Sequence, residues 1–242
     1  MGKNLVFVTE CPSTNTLALE MSRQSAVHDG AVVITGHQTA GKGQRGNVWE
    51  AKPGKNLTFS LILRPKFLAV NKQFFLNIAT SLALRDYLKD KLSHTVYIKW
   101  PNDILVHEKK ISGILIENQL QGSALLTSIV GIGFNVNQLE FASPSATSLA
   151  AVMETPLDLN AVFEEILTHF EGRYLQLREG RYDSLMNEYL AALFRRHEKR
   201  TFSSNGNLFE GTIQDVDAWG NLRVETGTGI RSFGVKEISY VG

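Results

Sequence analysis

Apolar residues change period along this chain, and that change restricts the fold more than any other feature. Leu57, Phe59, Leu61 and Leu63 occupy alternate positions, the pattern of a strand. Phe74, Phe75, Ile78, Leu82, Leu84, Tyr87 and Leu88 recur instead at intervals of three to four and line one face of a helix. Residues 5–9 and 31–35 read as short strands, and between them Ser13-Thr14-Asn15 offers cap-forming side chains ahead of Leu17, Ala18, Leu19 and Met21. Further strands are expected over 96–100, 110–119 and 123–135, the last two joined at Gln121-Gly122. Between 159 and 194 the spacing of Val162, Ile166, Phe170, Tyr174 and Leu177, then Leu185, Tyr189 and Leu193, predicts two helices facing each other. After Arg200, glycine, asparagine and threonine separate short alternating stretches, which reads as a small all-β unit. Strands and helices do not alternate regularly, so the expectation is an α+β fold on a mixed or mainly antiparallel sheet rather than a doubly wound one. The boundary is placed between a first domain, 1–199, and a second, 200–242.

Composition sets limits on partners. The chain has 242 residues, with 25 Lys+Arg against 24 Asp+Glu and a net charge of +1, so any basic site is local rather than a property of the whole surface. The longest apolar runs, 149–153 and 190–194, fall far short of the roughly 18 to 20 residues a membrane-crossing helix requires. The first residues carry no signal-peptide core, and Val6 stands where a myristoylation signal has Ser or Thr. A single cysteine, Cys11, suits a reducing interior, so a cytoplasmic location is expected. The six histidines show no metal-ligand spacing.

Chemistry concentrates in a few segments. Residues 36–55 hold five glycines and a proline, a long loop of the kind that carries function in compact domains. Within it Gly41-Lys42-Gly43-Gln44-Arg45-Gly46 matches the dinucleotide G-x-G-x-x-G pattern, but 47–54 does not open a helix and no acidic residue lies about 20 positions on, which excludes a nicotinamide site. Its glycines and cations suit an anion, and equally a solvated loop. In Lys99-Trp100-Pro101-Asn102-Asp103 the proline ends a strand, leaving Asn102 and Asp103 on a turn where Asp holds Mg²⁺ and Asn reads a purine or sugar, or where both simply form the turn. Lys110 stands at the mouth of a strand three residues before Gly113, and Gly131 and Gly133 lie inside the next one, marking a bulge or a bound ligand nearby, or simply packing.

Together these segments resemble the biotin protein ligases, the biotin–carboxyl-carrier ligase family. The resemblance rests on Ser13-Thr14-Asn15, on 38–46 with Trp49, on Lys99-Trp100-Pro101-Asn102-Asp103, on Lys110-Ile111-Ser112-Gly113 and on Gly131-Ile132-Gly133-Phe134-Asn135. It implies a class II synthetase-like α+β core followed by a small SH3-like barrel. It implies a two-step reaction: biotin's carboxylate attacks the α-phosphate of MgATP to give biotinyl-5′-adenylate and pyrophosphate, and a carrier-protein lysine then attacks the anhydride. Biotin, ATP and Mg²⁺ are thus substrates or activator, with no tightly bound prosthetic group, and the partner is a biotin carboxyl carrier protein or domain.

Carried over position by position, Lys110 is the main catalytic cation, assisted by Lys42 and Arg45. Ser13, Thr14, Asn15, Gln38, Gly41, Trp49, Gly113, Gly131 and Gly133, with Lys42 and Lys110, would form the biotin site. Gln44, Lys99, Asn102, Asn135 and Arg231, with Lys42 and Arg45, would serve ATP, and Asp103 the metal. Two departures have consequences. The family loop commonly reads Gly-Arg-Gly-Arg-Arg-Gly, and with Lys42 and Gln44 in place of two arginines a weaker hold on the adenylate is expected. The ligase segments begin by Ser13, so the DNA-binding domain of some relatives is not expected, nor is DNA binding. Cys11 is read as an apolar filler rather than an acyl carrier. A homodimer through sheet edges is compatible with the family. Two alternatives remain: a lipoate or octanoate ligase of the same fold, whose usual Arg-Arg-x-x-Gly-Gly-Gly stretch is missing, and a non-catalytic biotin sensor.

Overall fold

A computed structural model describes residues 1–23, 27–122 and 124–241, with the side chain of Arg45 outside that description; Ser123, the expected first residue of a strand, also lies outside it. Strands β1 (Leu5–Cys11), β2 (Ala31–Gln38), β3 (Leu57–Leu63), β4 (Val96–Lys99), β5 (Asp103–Val106), β6 (Lys109–Gln121) and β7 (Ala124–Phe134) form one sheet in the order β1-β2-β3-β7-β6-β5-β4. Only β1 and β2 run parallel, joined by the crossover helix α1 (Thr14–Ser22); every other neighbouring pair is antiparallel. The expected mixed sheet is therefore present. The short strand β5 was not anticipated, because four residues between a turn and a hairpin offer too little alternation to read.

Alternation across the central strands separates two layers. Val32, Leu61, Leu63, Val130, Ile132 and Phe134 belong to the main core, which includes Ile78, Leu82 and Tyr87 of α2 (Phe74–Lys91) and, beyond the short helix α3 (Leu149–Met153), Ile166 and Phe170 of α4 (Leu159–Arg178). Val33, Ile62 and Ile129 point the other way and pack with Ala18 of α1. Asp158 caps α4 through the Asn160 amide at 2.8 Å. The expected pairing of two late helices is corrected: α4 and α5 (Tyr182–Ala191) each pack mainly on α2 rather than on one another. Arg173 ties the three helices, reaching Asp86 of α2 at 2.6 Å and Glu188 of α5 at 2.7 Å.

Strands β8 (Lys199–Ser204), β9 (Asn207–Val216), β10 (Leu222–Thr226), β11 (Gly229–Phe233) and β12 (Ser239–Tyr240) make a second, antiparallel sheet in the order β11-β10-β9-β8-β12, which fits the SH3-like barrel expected from the sequence. Its apolar residues Phe202, Ile213, Leu222 and Phe233 are continuous with the main core. The two sheets meet where the Trp100 indole N–H donates to the Gly220 carbonyl at 2.9 Å. Gly220 has φ +89°, and a Cβ there would stand 2.3 Å from the Phe74 ring, so glycine is needed for both conformation and contact. Among the described residues no helix is long and apolar enough to cross a membrane.

Candidate active site

Thr58, Gly133, Gly113, Asp103 and Lys99 are successive cross-strand partners on β3, β7, β6, β5 and β4. Residues opposite one another in a ladder share a face, so this row sets a glycine floor beside a carboxylate and an ammonium. The β3–β7 ladder runs in register through Gly131 and Gly133 without a bulge. The glycines provide room instead: a Cβ would lie 2.2 Å from Asn15 Oδ1 at Gly131 and 2.2 Å from Trp49 Cε2 at Gly133. Above this floor is a cavity of about 350 Å³, a size suited to a small-molecule ligand.

One end of the cavity is lined by uncharged polar side chains. The first amide of α1 is satisfied from outside the helix: Gln38 Oε1, at the end of β2, accepts from Thr14 N at 2.8 Å and from Thr14 Oγ1 at 3.2 Å. The Ser60 hydroxyl is within donating distance of Asn15 Oδ1, 2.7 Å, and of Thr14 Oγ1, 2.8 Å. Asn15 Nδ2 donates to the Leu115 carbonyl and to Glu117 Oε2. Ser13, Thr14, Asn15 and Ser60 are all buried. Fixed amide and hydroxyl dipoles of this kind suit an uncharged polar head group.

Trp49 forms the middle of the wall. The glycine-rich loop returns on itself through a Lys42–Val48 bridge, a bond from Gly43 N to Asn47 O at 2.7 Å and one from Trp49 N to Gly41 O at 3.0 Å. Gly41 permits this return, since a Cβ would stand 2.6 Å from the Trp49 carbonyl. The Trp49 indole N–H is buried with no hydrogen-bond partner among the described residues, a donor left for a ligand.

The far end is charged. Lys110 Nζ is 2.7 Å from Asp103 Oδ1 and 5.5 Å from the Trp49 ring centroid. The backbone of Lys110 is pinned by its N–H to Ser145 O and by its carbonyl to Thr147 N, which fixes where the ammonium emerges. The Lys99 ammonium stands over the Tyr240 ring at 5.0 Å. Asn102 Nδ2 donates to the Ile114 carbonyl at 2.5 Å, and Ile114 N returns a bond to Asn102 O, holding the turn that carries Asp103. Among the described residues Asp103 is the sole acidic group on the wall, and no three His, Cys, Asp or Glu side chains gather to hold a metal.

Most of the expected residues meet here: Ser13, Thr14, Asn15, Gln38, Lys42, Gln44, Trp49, Lys99, Asn102, Asp103, Lys110, Gly113, Gly131 and Gly133 all line the cavity. Gly41 is not a lining residue, but its carbonyl accepts from the Trp49 N–H and so supports the wall. Two expected residues are not brought there. Asn135 is buried at the end of β7, where its amide donates to the Thr147 carbonyl at 2.9 Å, and Arg231 projects over the rings of Phe209 and Phe233 in the barrel. The sequence reading missed the barrel residues 235, 236 and 238–240, Asn47 and Val48 of the loop, and the supporting Ser60 and Glu117. Ser60 faces the site only through its register with Gly131, which no local pattern reveals.

Residues 8–135, from β1 to just past β7, match the model of the biotin/lipoate A/B protein ligase family. The chain belongs to this family. Among its biotin/lipoate ligase relatives, the bifunctional ligase/repressor BirA of Bacillus subtilis is 33% identical over 96% of this chain and 72% of its own length. The biotin–[acetyl-CoA-carboxylase] ligase of Mycobacterium tuberculosis is 30% identical over 93% of this chain and 84% of its own. The solved biotin protein ligase of Aquifex aeolicus, in complex with biotin and ATP, superposes with a TM-score of 0.81 at 25% identity, covering 98% of each chain. The matched segment holds the loop, the glycine floor, Asp103 and Lys110, and stops before the barrel wall.

Proposed function

We propose that this chain activates biotin as biotinyl-5′-adenylate and transfers it to a lysine of a biotin carboxyl carrier protein. The observation that carries the reading is the gradient along one cavity, from the uncharged polar side chains around Asn15, past Trp49, to Lys110, Asp103 and Lys99. A molecule with an uncharged head and an acid tail, placed head-first, brings its carboxylate to Lys110 and leaves the charged end for a triphosphate. The related proteins that bear the names of biotin ligases support the same choice of acid.

In the first step a carboxylate oxygen bonds to the α-phosphorus and the α–β bridging bond breaks, its electrons leaving with pyrophosphate. Two anions must meet, so Lys110 offsets their repulsion and holds both; Lys42 and the loop close over the product. In the second step the carrier lysine attacks the acyl carbon, AMP departs and the amine loses its proton, so no enzyme nucleophile is required. Mg²⁺ takes one or two carboxylates together with substrate phosphates, and Asp103 with the nucleotide's own oxygens fits that pattern. When bound, the ion would draw charge from the leaving pyrophosphate. A dimer would form through β1, the open edge of the sheet, where Leu5 and Phe7 are exposed; sedimentation with and without ligand tests it.

The deciding measurement is acid-dependent exchange of labelled pyrophosphate into ATP. Exchange with biotin, abolished in Lys110→Ala, is the expected result. Exchange with lipoate or octanoate instead would move the substrate, and biotin binding without exchange would leave a sensor.

A further inference from the structure

The barrel reaches the cavity through one turn and the strand after it. Glu237 closes that turn, its N–H donating to the Gly234 carbonyl at 3.1 Å and its carboxylate accepting from Gly234 N at 2.7 Å. Lys236, inside the turn, has φ +70°, a left-handed conformation that a side-chain-bearing residue keeps only where its surroundings fix it. It lines the same cavity as Lys99 and Tyr240, whereas the Arg231 guanidinium does not line it and stands 4.9 Å and 4.7 Å from the ring centroids of Phe209 and Phe233.

We propose that Lys236, rather than Arg231, is the barrel's ligand for the β- and γ-phosphates of the nucleotide, holding the departing pyrophosphate at the cavity end that Lys99 also lines. The inference rests on the reading that this end receives a nucleoside triphosphate. A lysine ammonium suits the task, as a compact charge with three donors that adjusts to a polyphosphate without a fixed fork geometry.

Pyrophosphate–ATP exchange on the full chain tests it with Lys236→Ala, Lys236→Arg and Arg231→Ala, each checked for folding by its thermal melt. Lys236→Ala is expected to raise KM for ATP and for pyrophosphate by about ten-fold, the loss of one charge-assisted contact, with KM for biotin unmoved and Lys236→Arg recovering most of the loss. Unchanged nucleotide constants in Lys236→Ala, or a rise in Arg231→Ala that exceeds it, would overturn the proposal. Absence of exchange in the unaltered protein would instead remove the nucleotide reading on which it stands.

Discussion

At Gly133 the site depends on an atom that is not there. A methyl group would occupy the space of the Trp49 ring, so Gly133→Ala is expected to displace the tryptophan and raise KM for biotin by about ten-fold or more, since overpacking of a tight contact costs about 1–3 kcal/mol. Equal biotin constants for variant and parent would show that the ring does not form the wall in solution. The two strand glycines were legible as a bulge, a nearby ligand or packing; the in-register ladder removes the bulge, and the tight neighbours are Asn15 and Trp49. Cys11 was legible as a filler, and it is 8% exposed at the end of β1, where burial pushes its thiol up. Little thiolate is then present near neutral pH, so alkylation at pH 8 is expected to run about ten-fold or more slower in the native protein than in denaturant. Equal rates would place the thiol in the open. At Arg231 the sequence says little about placement: a barrel arginine in a short motif gives no sign of whether it points to a cavity or, as here, over neighbouring aromatic rings.

Helix α4 is held toward its C-terminal end by Arg173, which is only 13% exposed and joins Asp86 and Glu188. The Arg173 hydrogen bond, outweighing partial burial, holds the Glu188 carboxyl below its ordinary value of 4.5. A depressed carboxyl pKa stabilises the fold above the unfolded value and loses that contribution as pH falls through the folded one. Glu188→Gln is therefore expected to flatten the loss of stability on acidification below about pH 4.5, by under about 1 kcal/mol because Glu188 is 40% exposed and screened by solvent. Urea midpoints at pH 7 and pH 3.5 check this, and parallel losses in both proteins would refute it. Periodicity revealed β3, β6, α2 and α4 because each is long enough to repeat its pattern. It missed β5 and α3, of four and five residues, and it missed that α4 and α5 both turn to α2, since an apolar stripe shows that a face is covered without saying by what.

At the scale of the whole molecule, the main apolar core takes in residues of both sheets, Phe59 and Ile132 of the first with Phe202 and Ile213 of the second. A single unfolding transition is expected, with coincident curves from tryptophan fluorescence and far-ultraviolet circular dichroism; two separated transitions would mark the barrel as independent. Gly220→Val places a branched side chain where the Phe74 ring lies, in a left-handed position, and is expected to destabilise this unit by about 2 kcal/mol or more, read from its urea midpoint. The sequence showed that a β-rich tail follows the helices, but not that its last turn finishes a cavity begun at Ser13, because nothing local records contacts between positions more than 200 residues apart.

Near balance over the whole surface conceals a local excess. Among the described residues four lysines and one aspartate line the cavity of a chain with a net charge of +1. A polyanion approaching that mouth meets an attractive field that the average charge does not report, and ions within about a Debye length, ~8 Å at physiological ionic strength, weaken it. The two substrates therefore respond unequally to salt: association of the polyanionic nucleotide slows steeply as ionic strength rises, and that of the acid, with its single carboxylate, only mildly.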